Sequence, residues 1–272
     1  MGKFDLNLID FDSIFFGGTG WNLAWQIGAT KKLMELGFDK KIKKIGTLSG
    51  GIISGLIFCR AANYNRGLVQ AEQLMTNGYF LSKEFRKRYK YYFEHFINSD
   101  PLADIKNSGA EFYASYVKLN NFPKLEFIMK SNFIDKNDLI DTGMAGCYIP
   151  LILGIEPNKI GLPILQNGDI AIDGGLLGSS IFRWSEKTLV ISPSQKSNYN
   201  TIGANYNVLA TIGIRSKNLS NKKLFMEGYS EASKWFAEYY LHDYSWSKES
   251  EWEKNSSYTY EQFINKNYKS RG

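Results

Sequence analysis

Strand-like and helical segments alternate along the 272 residues, which predicts an α/β/α domain: a mostly parallel sheet between helical layers. Two further observations agree. Apolar residues make up 43% of the chain, which suits one full-sized core, and no stretch rich in Pro, Gly or Ser divides it. Three glycine clusters each follow a strand-like run.

The first strand-like run covers residues 12–17, with Ile14-Phe15-Phe16 at its centre. A helical pattern over 22–36 follows and stops at Gly37, a residue that accepts the left-handed turn ending a helix. Residues 43–48 form the next strand, and 50–62 a helix opened by small residues. Helical patterns then cover 66–76 and 83–97. Residues 124–129 read as a strand and 138–147 as a helix. Gln166-Asn167-Gly168-Asp169 is a hairpin turn leading into a strand at 170–172. A strand at 188–192 and a long helix at 221–240 complete a single domain over residues 1–242. The polar tail 243–272, with Trp246 and Trp252 scattered in it, is expected to pack loosely.

The glycine clusters carry the chemistry. Ser49 sits in Gly46-Thr47-Leu48-Ser49-Gly50-Gly51, between a strand and a helix. Glycines after such a serine let the helix start close to the strand, lift the hydroxyl out of the backbone and aim the helix N-terminus at what it attacks. The pattern asks for Gly-x-Ser-x-Gly; here Thr47 takes the first slot and Gly51 the last. The Cβ of Thr47 is expected to crowd the tight turn. Upstream, Phe16-Gly17-Gly18-Thr19-Gly20 joins a strand to a helix and leaves backbone N–H groups facing one concavity, a nest for a phosphate or a developing oxyanion. Downstream, Ile172-Asp173-Gly174-Gly175 ends a strand in a carboxylate. An Asp-Gly alone is an ordinary turn. The three clusters together, in this order, point to a nucleophile, an anion nest and a carboxylate.

Other assignments compete. Gly17 to Gly20 fits the start of a dinucleotide loop, but Leu23 stands where the third glycine belongs and no acidic residue is suitably placed at a second strand end. Ser49, Asp173 and His242 follow the Ser–Asp–His order of an α/β-hydrolase triad, a fold with no need of the other glycine pairs. The chain holds two histidines, His95 on an aromatic helix face and His242 where the last helix runs out. Neither is flanked by turn residues that would aim it into a site. That shortage favours a two-residue device without histidine.

In order and residues the clusters resemble the patatin-like phospholipases, nearest to the branch of adipose triglyceride lipase and adiponutrin. The oxyanion loop, elbow and Asp-Gly-Gly of that family are similar to Gly18-Thr19-Gly20-Trp21-Asn22-Leu23, Thr47-Leu48-Ser49-Gly50-Gly51 and Asp173-Gly174-Gly175, with Leu23 and Thr47 in place of glycines. Further similarity lies in Asn137 to Ile140 running into Ala145 to Pro150, and in Gly228-Tyr229-Ser230-Glu231-Ala232. The resemblance implies a three-layer α/β/α patatin-like fold and a serine lipid acyl hydrolase of lipase or phospholipase A type. In it Ser49 is the nucleophile, and Asp173 is general base toward Ser49, then general acid toward the leaving alcohol. The amides of Gly18, Thr19, Gly20 and Gly50 line the oxyanion hole, and the reaction passes through an acyl-serine. No metal or organic cofactor is implied, and the partner is a lipid ester substrate. The competing class is a non-catalytic lipid- or partner-binding relative in which Leu23 and Thr47 mark decay.

A net charge of +6 suits an anionic partner. The cations concentrate in residues 83–90 and in Lys40, Lys41, Lys43 and Lys44. Phe85, Tyr89, Tyr92, Phe93 and Phe96 share one helical stripe, with Arg86, Lys87 and Lys90 off it. The stripe reads either as core below a solvated basic face or as an interfacial helix, giving peripheral contact with a membrane or lipid-droplet surface. No nucleic-acid-binding signature accompanies the charge, so nucleic acid is not an expected partner. The N-terminus lacks a signal-peptide core, and the most apolar window, near residues 52–59, is too short to span a bilayer. Cys59 and Cys147 sit in apolar helical contexts and read as buried free thiols. The expectation is a cytoplasmic protein.

Overall fold

The structure, a computed structural model, describes residues 5–68, 90–91, 93–149, 162–177, 182–206 and 220–240. Most of the expected 66–76 helix, residues 83–89 of the basic-aromatic segment, His242 and the tail 243–272 lie outside the described residues.

Among the described residues seven strands form one sheet, in the order β4-β3-β2-β1-β6-β7 with β5 also on β3. They are β1 (Ser13–Phe16), β2 (Lys44–Leu48), β3 (Glu111–Lys118), β4 (Glu126–Lys130), β5 (Ala171–Ile172), β6 (Thr188–Ser192) and β7 (Thr201–Gly203). The run β3-β2-β1-β6-β7 is parallel, whereas β4 and β5 pair antiparallel with β3. With helices on both sides of a mostly parallel sheet, the fold is the expected three-layer α/β/α arrangement. The main core gathers Phe16, Trp25, Phe58, Phe112 and Trp235, and a smaller cluster of Phe15, Leu48 and Val190 lies beside half-buried Phe127, Met129 and Phe182.

β3 was not expected, and it organises the site. Its residues 111–115 pair with β2, ending at Leu48 opposite Ser115. Its residues 117–118 pair with β5, with Ile172 opposite Val117. β5 therefore takes up β3 where β2 leaves it. The residues that follow these strand ends, Ser49 and Asp173, arrive together beside Tyr116.

Among the described residues the helices are α1 (Leu23–Glu35), α2 (Phe38–Lys41), α3 (Gly51–Phe58), α4 (Pro101–Ser108), α5 (Lys136–Gly146) and α6 (Asn221–Tyr240), besides helical residues at 64–68, 90–91 and 93–96. α1 stops at Gly37, whose φ is +85°. α3 is shorter than its expected 50–62 because Arg60 turns left-handed, at φ +62°, and the Ala61 N–H reaches back to the Leu56 carbonyl. α4 carries its own signals: the Asp100 side chain accepts from the Ala103 N–H, Pro101 sits in the first turn and Gly109 stops the helix. α5 starts two residues early because Asp135 caps the Asp138 N–H at 2.8 Å.

α1 and α6 cross with their backbones in contact. A Cβ on Gly28 would lie 2.0 Å from the Phe225 carbonyl oxygen, and one on Gly228 would lie 1.8 Å from that of Trp25. Of the basic-aromatic stripe, Phe93 and Phe96 are buried in the core. Cys59 and Cys147 are buried free thiols, and burial raises the Cys59 pKa.

Candidate active site

Ser49 leaves β2 in a conformation that a side chain rarely takes, with φ +51°. Strain of this kind persists only where the surroundings impose it. Here the next two residues do so. A Cβ on Gly51 would lie 2.3 Å from the Phe16 carbonyl oxygen, and one on Gly50 would meet the Thr19 hydroxyl at 2.2 Å. Only a glycine pair lets α3 begin this close to the end of β1 and the loop that follows it. The start of α3 then lies directly behind Ser49.

That loop is the glycine cluster at 17–20. Gly17 is tied to the sheet by its N–H, which donates to the Ile191 carbonyl at 2.9 Å. Gly18 packs over the nucleophile, the position of its missing Cβ being 3.6 Å from Ser49 Cβ. Thr19 is right-handed and Gly20 left-handed at φ +47°, the backbone alternation that turns successive N–H groups into one concavity. The amides of Gly18, Thr19, Gly20 and Gly50 donate to no acceptor among the described residues.

Asp173 closes the arrangement. The Ser49 Oγ donates to Asp173 Oδ2 at 2.6 Å, and the Gly175 N–H donates to Oδ1 at 2.7 Å. The Asp173 N–H is itself held by the Tyr148 carbonyl at 2.9 Å. Burial pushes the Asp173 carboxyl up to about 6, although the Ser49 hydroxyl and the Gly175 amide both favour its charged form. A carboxylate so placed is a stronger base than an exposed aspartate. The hairpin feeding it is pinned to β3: buried Asp169 accepts from the Tyr116 hydroxyl at 2.6 Å and pairs with Lys118 at 2.5 Å.

The sequence-based candidates thus come together in one place: Ser49, Asp173, Gly18 and Gly50 through direct contacts, and Thr19 and Gly20 in the same loop. His95 does not join them. It is exposed, with its Nδ1 engaged by the Tyr91 carbonyl at 2.7 Å. Thr47, expected to crowd the elbow, is engaged by its neighbour strand. Its hydroxyl turns to β3 and donates to the Tyr113 carbonyl at 2.9 Å. Leu23 is buried in the main core as the first residue of α1.

Two residues were missed. Ser115 donates to the Thr47 carbonyl at 2.5 Å and so steadies the end of β2 before Ser49. Gln26 is fully buried in α1 and donates to the carbonyls of Gly17 and Ile191 at 2.9 and 2.8 Å. The available signal for Gln26 was a lone amide among Leu23, Ala24, Trp25 and Ile27 on a helix.

No curated protein matches the chain. Its fold is similar to the crystal structure of VipD from Legionella pneumophila, with a TM-score of 0.49 and 9% identity over 85% of this chain and 67% of that one. The family model for patatin-like phospholipase matches residues 14–182, well over half of the sequence, and takes in the loop, the elbow and the carboxylate. This chain belongs to the patatin-like phospholipase family.

Proposed function

We propose that the protein is a serine lipid acyl hydrolase, of phospholipase A or triacylglycerol lipase type, working through a Ser49–Asp173 dyad. The observation that carries this reading is the 2.6 Å bond from the Ser49 hydroxyl straight to the Asp173 carboxylate, with no imidazole between them. In a Ser–Asp–His device the carboxylate orients the histidine and does not touch the serine. The motif resemblance supports a position near the adipose triglyceride lipase and adiponutrin branch.

Ser49 Oγ attacks the ester carbonyl carbon while its proton passes to Asp173 Oδ2. The carbonyl oxygen becomes an oxyanion held by amides among Gly18, Thr19, Gly20 and Gly50. The tetrahedral adduct collapses, Asp173 returns the proton to the departing alcohol oxygen, and an acyl-Ser49 ester remains. Water then repeats the sequence and releases the fatty acid. A single oxyanion donor is worth on the order of a hundred- to a thousand-fold in rate. The bond of Thr47 to β3 and the packing of Leu23 in the core support an active enzyme over a decayed relative.

The site meets lipid from its own pole of the molecule. Lys43 and Lys44 are exposed at the start of β2, roughly 17 Å from Ser49 at about 3.3 Å per strand residue, so they do not turn the site toward an anionic surface. The β3–β4 turn, by contrast, extends past the end of β3 at which Ser49 lies. It carries Phe122, 79% exposed, with exposed Leu125 and Lys124. This apolar tip with a cation beside it is the proposed contact with a membrane or lipid droplet.

The test is labelling by a fluorophosphonate together with hydrolysis of a short soluble ester. Wild type labels at Ser49; Ser49→Ala and Asp173→Asn abolish turnover; His95→Ala and His242→Ala retain most of it. Loss in His242→Ala equal to that in Ser49→Ala would establish a triad instead.

A further inference from the structure

Gln26 lies in α1 with no exposure, and both hydrogens of its Nε2 go to backbone carbonyls, those of Gly17 and Ile191. The Ile191 carbonyl also accepts the Gly17 N–H. Gly17 is therefore held at both ends, its N–H by β6 and its carbonyl by Gln26. A trans peptide is planar, so its C=O and the following N–H point in opposite directions. Drawing the Gly17 oxygen toward Gln26 turns the Gly18 N–H away from α1. Gly18 is the residue that lies over Ser49, and its amide has no acceptor among the described residues.

The other end of the side chain shows what this arrangement costs. Gln26 Oε1 is buried and has no hydrogen-bond partner among the described residues. A methionine would fill the same length among the apolar neighbours Trp25 and Ile27 with no buried Oε1, although it would take the Nε2 donor away from the Gly17 carbonyl. Packing alone therefore does not favour an amide here.

We infer that Gln26 is a positioning residue, which locks the Gly17–Gly18 peptide in the orientation that presents the Gly18 N–H to the oxyanion formed at Ser49. This rests on the proposed Ser49 chemistry. The two ideas separate in one experiment, because labelling of wild type at Ser49 tests the chemistry and the Gln26 variants test the positioning. Released from Gln26, the peptide between two glycines can rotate, and the loop no longer holds a donor ready for the transition state.

The variants are Gln26→Met, which has no donor, and Gln26→His, which keeps one ring N–H within the same space. Each is measured for fluorophosphonate labelling rate, for kcat and KM on a short soluble ester, and for Tm. In Gln26→Met the expected result is a Tm within a few degrees of wild type, since one orphaned oxygen replaces another, with labelling and kcat slower on the order of ten- to a hundred-fold and an unchanged KM. Gln26→His recovers most of that loss. Labelling of Gln26→Met within twofold of wild type overturns the inference while leaving Ser49 as the nucleophile. So does a fall in rate that only follows a fall in Tm. If Gln26→Met does not fold, Gln26→His decides: a folded protein that labels at near wild-type rate supports the N–H, and one a hundred-fold slow excludes it. If wild type does not label at Ser49, the catalytic reading falls and this inference falls with it.

Discussion

The γ-methyl of Thr47 occupies the room that a side chain at Gly55 would need: a Cβ on Gly55 would lie 2.4 Å from Thr47 Cγ2. The hydroxyl of Thr47 bonds to the Tyr113 carbonyl, and its own carbonyl accepts from Ser115 Oγ. Thr47 thus fastens β2 to β3 on the step before the elbow, while α3 leaves a gap for its methyl. Thr47→Gly should destabilise the protein by about 2–3 kcal/mol through the lost bond, the lost methyl and a freer unfolded chain. Thermal denaturation should show Tm lower by about 5–10 °C. Gly55→Ala should be far less harmful in Thr47→Gly than in wild type, with a coupling above about 1 kcal/mol in a double-mutant cycle. Additive effects would mean that the two residues do not compete for space.

Asp173 makes activity and stability run against each other with pH. Its carboxyl lies near 6 when folded, against an ordinary value of 3.8, because burial disfavours the charge. An acid raised on folding stabilises the native state fully below its unfolded value, and that contribution is lost as pH rises through its folded value. Above that window the buried carboxylate costs about 3 kcal/mol, at roughly 1.4 kcal/mol per pH unit. As a base, Asp173 must be ionised, so kcat/KM on a soluble ester should rise about tenfold per unit below pH 6 and level off above it. Asp173→Asn should be inactive yet melt above wild type at pH 8, with the gap closing toward pH 4. A gap of equal size at both pH values would contradict the assignment.

The crossing of α1 over α6 leaves no space for a methyl. Gly28→Ala or Gly228→Ala should cost about 3 kcal/mol or more, because each new Cβ would overlap a carbonyl oxygen of the facing helix. Gly109 provides the contrast. Nothing lies within 4 Å of its Cβ position, and only its φ of +72° resists substitution. Gly109→Ala should therefore cost about 1 kcal/mol. Urea denaturation of the three variants checks the order.

If the β3–β4 turn meets lipid, Phe122→Ser with Leu125→Ser should weaken sedimentation with vesicles at least several-fold. Turnover of a soluble ester should be unchanged, since neither residue touches the dyad. Lys124→Glu should weaken binding to anionic vesicles most at low salt and hardly affect neutral ones. Unaltered binding in the Phe122 and Leu125 variant would move the contact elsewhere.

Long or well-delimited elements were legible in the sequence. The expected 221–240 and 188–192 match α6 and β6 at both ends, and β1 and β2 fall within one residue. β3 was not legible, because both of its faces are buried and no polar alternation marks it. Ala114 and Ser115 at its centre are also weak strand formers. α4 was overlooked although Asp100, Pro101 and Gly109 announce it. The site was legible where glycines stand, because a missing Cβ leaves a mark in sequence. It was not legible at Thr47, Ser115 and Gln26, whose parts in the site depend on partners distant along the chain.

β3 acts as a ruler for the dyad. Ser49 and Asp173 are 124 positions apart, yet each is set by its own rung count on one strand, the first through β2 and the second through β5. The chain between residues 119 and 170 enters that measurement through Tyr148, whose carbonyl holds the Asp173 N–H, and Asp169, which is tied to Tyr116 and Lys118. Insertions that spare those contacts can lengthen the loops without separating nucleophile from base. A one-residue insertion between Ser115 and Val117 would do what fifty elsewhere need not: it would shift one rung, about 3.3 Å, and break a 2.6 Å contact. Variation in this protein should therefore collect between the two rungs' strands and avoid the eight residues that carry the scale.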